Sequence, residues 1–287
     1  MAAPEQTQTM VCYRHPRNET AVTCSNCGRP ICPECMVFAP VGIKCPECAG
    51  QPSGPKRATV RARSFAGTGT DFLVTKFFLA ANVIVFLAQV VQSGSLTNPF
   101  GELFQDGALY GPLVAQGDWW RLVTAAFLHG SILHIFFNML MLWWFGRPLE
   151  VLLGRGRFFA VYVVSILAGS AGALLVSPEV PTIGASGAVF GILGAGLVLE
   201  RSRINVFGGS ALIIVILNLA LSFTLNNVSI GGHVGGLVGG ALCVLAFSRF
   251  GRGHAVYSRF DVLTAASILA IAVGSIAIAY FKVRGYA

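Results

Sequence analysis

Residues 183–199 read IGASGAVFGILGAGLVL, with no charged side chain and with glycine at 184, 187, 191, 194 and 196. A helix needs about 20 apolar residues to cross the ~30 Å hydrocarbon core of a bilayer, so this run is short for a span. Its glycines predict a helix packed inside a bundle, away from lipid. A second glycine-rich stretch answers it at 231–240, GGHVGGLVGG. Small residues recur at i, i+4 in both, as Gly187 with Gly191 and as Gly232, Gly236 and Gly240. Such faces let two helix backbones approach closely in a membrane.

Further apolar runs flank these two. Together the candidates cover roughly 72–92, 122–145, 157–177, 185–199, 206–224, 229–248 and 261–281. Only helices or closed barrels satisfy the backbone within lipid, and the two-residue alternation of barrel strands is missing. The expected fold is an all-α polytopic bundle of seven helices. Composition agrees: of 287 residues, 54% are hydrophobic and 11% charged, with a mean hydropathy of +0.69. Soluble domains are about a quarter charged, so a soluble enzyme is excluded. Residues 1–70 hold 8 Lys/Arg and 4 Asp/Glu, against 12 and 8 over the remaining 217 residues. The chain therefore divides into a small module at 1–49, a basic linker at 50–70 and a membrane domain at 71–287.

Loop charge predicts orientation, because cytoplasmic loops retain Lys and Arg. Arg147, Arg155 and Arg157 follow the second run, Arg201 and Arg203 the fourth, and Arg249, Arg252 and Arg259 the sixth. The connections after the first, third and fifth runs carry none before the next helix, which Arg121 opens in the second. The N-terminal module is thus expected in the cytoplasm and the 94–120 loop outside, in a cell (plasma) membrane. Lys282 and Arg284 run against the pattern. The first apolar run lacks a small-residue cleavage site, so no cleaved signal peptide is expected. The net charge of +8 mostly reflects this orientation and the linker, whose Lys56, Arg57, Arg61 and Arg63 suit an anionic inner leaflet. Nucleic acid is not an expected partner.

Seven of the eight cysteines lie between residues 12 and 48, spaced as Cys12-x2-His15, Cys24-x2-Cys27, Cys32-x2-Cys35 and Cys45-x2-Cys48. A two-residue spacer presents two soft ligands to one tetrahedral zinc, and two pairs complete a site. Eight ligands imply two zinc ions. Disulfides fit poorly, since the odd cysteine count leaves a thiol over on the reducing side of the membrane. Spacing leaves both sequential and cross-braced pairing open. With every ligand position filled by protein, the ions would be structural and take no part in catalysis. So small a module draws most of its folding free energy from metal and serves as a binding or regulatory unit for a cytoplasmic partner.

Polar side chains at bilayer depth are costly and mark function. The apolar runs hold His129, His134, Asn138, Ser186, Asn218 and His233, with no Asp or Glu beside them. Ser186 opens the short glycine-rich helix, where unpaired N–H groups and the helix dipole stabilise a developing anion. Taken alone it is an N-cap serine. His233 changes the balance, because the matched glycine faces would bring it to Ser186, and a serine facing a histidine is an arrangement for nucleophilic catalysis. Lacking a carboxylate, the pair would act as a dyad. Phe190, one turn from Ser186 on the same face, is expected to pack on the imidazole. His134 and Asn138 share a face at i, i+4 and both donate hydrogen bonds, either to an oxyanion or as an interhelical clamp. His129 is read as accessory or structural and Asn218 as packing between helices.

Taken together, Trp120-Arg121, His134-x3-Asn138, Gly184-Ala185-Ser186-Gly187 and Gly232-His233-x2-Gly236-x3-Gly240 resemble the rhomboid family of intramembrane serine proteases. The resemblance covers most of residues 71–281. It implies a six-helix catalytic core plus one C-terminal helix, with Ser186 as nucleophile and His233 as general base. His134, Asn138 and the Ser186 backbone N–H would form the oxyanion hole, and membrane proteins, single-span or polytopic, would be the substrates. Phe190 stands where the family often has tyrosine, keeping the ring and losing the hydroxyl. The cysteine module resembles a B-box zinc finger, which would place Cys12, His15, Cys32 and Cys35 on one ion and Cys24, Cys27, Cys45 and Cys48 on the other. Two other classes remain open: a catalytically silent relative that binds membrane helices, and a transporter, which the lack of membrane carboxylates and inverted repeats disfavours.

Overall fold

The computed structural model describes residues 10–38, 42–49, 72–202, 204, 206–224, 228–248 and 261–286. Lys56, Arg57, Arg61 and Arg63 of the linker, and Arg203, Arg249, Arg252 and Arg259 of the loops, lie outside the described residues. The chain forms two compact units, Met1–Thr70 and Asp71–Ala287. In the first, two short antiparallel hairpins pair Met10–Val11 with Glu19–Thr20 and Val37–Phe38 with Ile43–Lys44. Its buried centre is Ile31 together with Cys12, Cys24, Cys32, Cys35 and Cys45.

The second unit is built from α1 (Leu73–Ser93), α2 (Ile132–Leu153), α3 (Arg155–Val176), α4 (Ser186–Arg201), α5 (Ala211–Thr224), α6 (Ile230–Phe247) and α7 (Val262–Val283). Four of these, α1, α3, α6 and α7, are long and apolar enough to cross a membrane by themselves. Helix α4 has 16 residues and α5 has 14. The short α4 is the most enclosed, with residues 188–196 all buried, as its glycines predicted.

Two boundaries differ from the sequence expectation. The second apolar run is not one helix from 122: Arg121–Phe127 and Ile132–Leu153 meet at 95°. Gln89 of α1 fixes the break. Its side-chain carbonyl accepts the His129 N–H at 3.0 Å, and its amide donates to the carbonyls of Pro99 and His129. A buried backbone taken out of helical pairing must find such partners, and a glutamine supplies both donor and acceptor. The Ser131 hydroxyl then caps α2 by accepting the His134 N–H. Likewise α5 starts at Ala211 and not at 206. The Glu200 carboxylate accepts the N–H groups of Phe207, Gly209 and Ala211, holding residues 207–210 as a loop ahead of the helix.

Glu150 performs the same service for α1, accepting from the N–H groups of Val74 and Thr75 and from the Thr75 hydroxyl at 2.7–2.9 Å. At the opposite end, the stretch between α1 and α2 is ordered by Arg121. Its buried guanidinium donates to Asp118 and to the carbonyls of Gln105 and Ala108. Leu109 pairs with Thr182 through both backbone bonds, joining that stretch to the segment that leads into Ser186.

The centre of the bundle is a contact of backbones. A Cβ at Gly236 would meet the Gly187 carbonyl at 1.9 Å, and one at Gly240 would meet that of Gly191 at 1.9 Å. Helix α3 joins through Gly172, where a Cβ would lie 2.2 Å from the Gly231 carbonyl. The α4–α6 contact was expected; the third partner was not. In contrast, Gly274 of α7 has open space beside it, on an apolar groove of about 530 Å³ between α3, α6 and α7. Gly240→Ala should therefore destabilise the detergent-purified protein by at least the ~1–3 kcal/mol of an overpacked core, seen as a lowered thermal midpoint. Gly274→Ala should leave that midpoint unchanged.

Candidate active site

Helix α4 begins with Ser186 itself. The cap position belongs to Ala185, and the Ser186 hydroxyl makes no capping hydrogen bond. The N-cap role open to this serine is therefore not the one it plays. Its half-buried side chain stands at the first helical residue, where backbone N–H groups have no carbonyl four residues earlier. Gly184 holds the approach at φ +117°, a conformation that side-chain-bearing residues rarely adopt, and its N–H donates to the Ala125 carbonyl at 2.9 Å.

His233 lies in the first turn of α6 and is 7% exposed. Its ring stacks on Phe190 with centroids 4.0 Å apart and planes at 17°. Phe190 is four residues beyond Ser186, so both occupy the face of α4 that meets α6. No hydrogen bond joins the Ser186 hydroxyl to the imidazole among the described residues. Instead the Ser222 Oγ of α5 lies 2.7 Å from His233 Nδ1. Ser222 was not foreseen. The one trace of it in the sequence is a serine four residues after Asn218 in an otherwise apolar run.

On the α2 side, a Cβ at Gly184 would touch His134 Nε2 at 2.7 Å, so this ring packs on the approach to Ser186. His134 Nδ1 accepts from the Gly130 N–H at 3.4 Å. That contact assigns the ring proton to Nε2, the nitrogen against Gly184. Asn138 is buried, and its amide donates to the His134 carbonyl one turn back. His129 is fully buried, 5.0 Å from the His134 ring, and is held by Gln89 through its backbone. Asn218 does not bridge helices; its amide donates to Ile214 within α5. A cavity of about 30 Å³ touches Ser186, lined also by Ser170, Thr182 and Ser229, which is room for a water molecule or two.

In the N-terminal unit, Cys12, His15, Cys32 and Cys35 form one group and Cys24, Cys27, Cys45 and Cys48 another, the ligand atoms of each lying within 4.8 Å of one another. These are alternating pairs. His15 Nδ1 is 3.3 Å from the sulfurs of Cys32 and Cys35 and 3.9 Å from that of Cys12; Cys27 and Cys45 are 3.7 Å apart. A tetrahedron with metal–sulfur bonds of about 2.3 Å has edges of ~3.8 Å, so soft donors at this spacing fit one metal ion per group. Tyr13 and Arg14 both donate to the Glu47 carboxylate, drawing the first hairpin to the last ligand pair, and the tyrosine bond holds that carboxyl well below its usual range, at about 2. Cys243, in α6, belongs to neither group.

Comparison with known proteins agrees with the helical unit. Residues 116–250 match the family model described as "Rhomboid domain". Over 204 residues the chain is 37% identical to rhomboid protease GluP of Bacillus subtilis (strain 168), covering 70% of this chain and 39% of that protein. It is 33% identical over 189 residues to the putative rhomboid protease YdcA of the same organism, covering 64% of this chain and 92% of that one. Rhomboid-like protease 3 of Toxoplasma gondii is 30% identical over 194 residues, 73% of its length. The shared region spans the glycine-packed helices, Ser186 and His233, and with its apolar helices this integral membrane protein belongs to the rhomboid family.

Proposed function

We propose that the chain is an intramembrane serine protease that hydrolyses peptide bonds in or near the transmembrane helices of membrane proteins. The observation that carries this is the stacking of His233 on Phe190 across the glycine contact, which sets the imidazole beside the helix start that bears Ser186. His233 Nε2 takes the hydroxyl proton as Ser186 attacks the scissile carbonyl. The resulting oxyanion is met by the Ser186 N–H at the positive end of α4, with His134 Nε2–H and the Asn138 amide as further donors. The imidazolium then protonates the leaving amine, and water from the adjoining cavity, activated by the same histidine, releases the acyl group. Serine and histidine not yet hydrogen-bonded are common in a site without substrate, since such bonds often tighten only in the reacting complex.

A substrate helix must unwind where it is cut, because a carbonyl bonded within a helix is not open to attack. Loop charge favours a site that opens to the outer face of the plasma membrane with the N-terminal module in the cytoplasm. In that module two zinc ions would be held, one by Cys12, His15, Cys32 and Cys35 and one by Cys24, Cys27, Cys45 and Cys48. They would supply folding free energy and a rigid surface for a cytoplasmic partner.

Ser186→Ala and His233→Ala, each inserted and folded, should lower cleavage of a model single-span substrate by about 10³-fold or more. Persistent wild-type cleavage in either variant refutes the assignment. A fluorophosphonate probe should label the wild type at Ser186 and neither variant. Metal analysis of the full chain should find two zinc ions per molecule, and a strong chelator should remove them without changing the rate of that labelling.

A further inference from the structure

We propose that Ser222 is the positioning residue of the catalytic histidine, the neutral counterpart of the carboxylate that completes a serine protease triad; this rests on the protease function proposed above. Ser222 lies in the last turn of α5 and is 4% exposed. Its Oγ makes two close contacts of 2.7 Å each, one with the Asn218 backbone carbonyl and one with His233 Nδ1.

A hydroxyl has one hydrogen, and a carbonyl oxygen can only accept. With the hydrogen on the Asn218 side, Oγ accepts from a protonated Nδ1 and both contacts are hydrogen bonds. With it pointed at Nδ1, the bond to Asn218 is lost and two oxygen lone pairs face each other at 2.7 Å. The first arrangement therefore wins, and it decides the tautomer of His233: Nδ1 carries the proton and Nε2 is left bare. Nε2 is the nitrogen that must accept the Ser186 proton. When it does, the imidazolium donates from both nitrogens, and Ser222 already accepts at Nδ1 without any rotation. Phe190 fixes the plane of the ring and Ser222 its rotation within that plane.

The neighbourhood explains why a hydroxyl does this work. α5 carries no Asp or Glu, and a buried carboxylate at bilayer depth is costly to insert. A hydroxyl fixed by a helix carbonyl orients the ring with no charge. Asn218 enters through its backbone alone, its side chain being turned to Ile214.

The test compares Ser222→Ala, Ser222→Val and Ser222→Thr in the full chain, with kcat and KM for a model single-span substrate, the rate of fluorophosphonate labelling at Ser186, and thermal midpoints. Threonine and valine share a shape and differ in the hydroxyl. Alanine and valine should lower kcat and the labelling rate about tenfold, the loss of one hydrogen bond of ~1–1.5 kcal/mol, with KM and midpoint unchanged. Threonine should restore both rates to within about threefold. Alanine and valine variants as fast as wild type, or threonine as slow as valine, overturn the positioning role. That failure is distinct from failure of the protease function, which shows as an unlabelled wild type or as Ser186→Ala and His233→Ala variants that still cleave.

Discussion

The approach of α4 to α6 with nothing between their backbones is the constraint on which the rest of the bundle depends. At Gly187 with Gly236, and at Gly191 with Gly240, a single added carbon would sit less than 2 Å from a carbonyl oxygen. Lipid tails are as apolar as leucine, so helices in a membrane gain little from burying apolar surface against each other; close van der Waals contact must hold them together. Glycine allows that contact at the smallest interhelical distance. The same short distance brings a ring on α6 against a ring on α4, so the stack of His233 on Phe190 follows from the packing.

Around this centre the polar groups act as fasteners. Glu150 caps α1, Glu200 caps α5, Gln89 secures the turn ahead of α2, and Arg121 gathers the carbonyls of the preceding loop. Each is a side chain from one element that satisfies the backbone of another. In a medium without water to complete a frayed helix end, such reach across elements is how ends are finished. The helices are thus tied at their termini by hydrogen bonds and at their middles by glycines.

Much of this was legible in the sequence because it rests on composition and spacing. Apolar runs locate the helices, glycines at i, i+4 identify the packing pair, and Phe190 at i+4 from Ser186 identifies the ring that meets His233. What was not legible depends on contacts between separate helices or on groups that look ordinary in sequence. Ser222 is one serine in an apolar helix, and only the return of the chain into α6 brings it to the imidazole. The break before α2 needs Gln89, forty residues away in sequence from His129. Asn218 looked like a bridge between helices because its side chain is polar, yet a carbonyl of its own helix was nearer. In the N-terminal unit the Cys/His pairs were evident from spacing, which left their pairing open; the alternation of first pair with third was what the B-box resemblance implied, and the fold groups the side chains in that way.

No Asp, Glu, Lys or Arg stands among the side chains gathered around Ser186 among the described residues. Bacterial and organellar membranes carry electrical potentials, and a fixed charge moved through such a field changes in energy by about 2.3 kcal/mol for every 100 mV. A centre assembled from hydroxyls, imidazoles, an amide and a phenyl ring offers that field no permanent charge to pull on. A change in membrane potential therefore does no work on a formal side-chain charge at this point of the bundle.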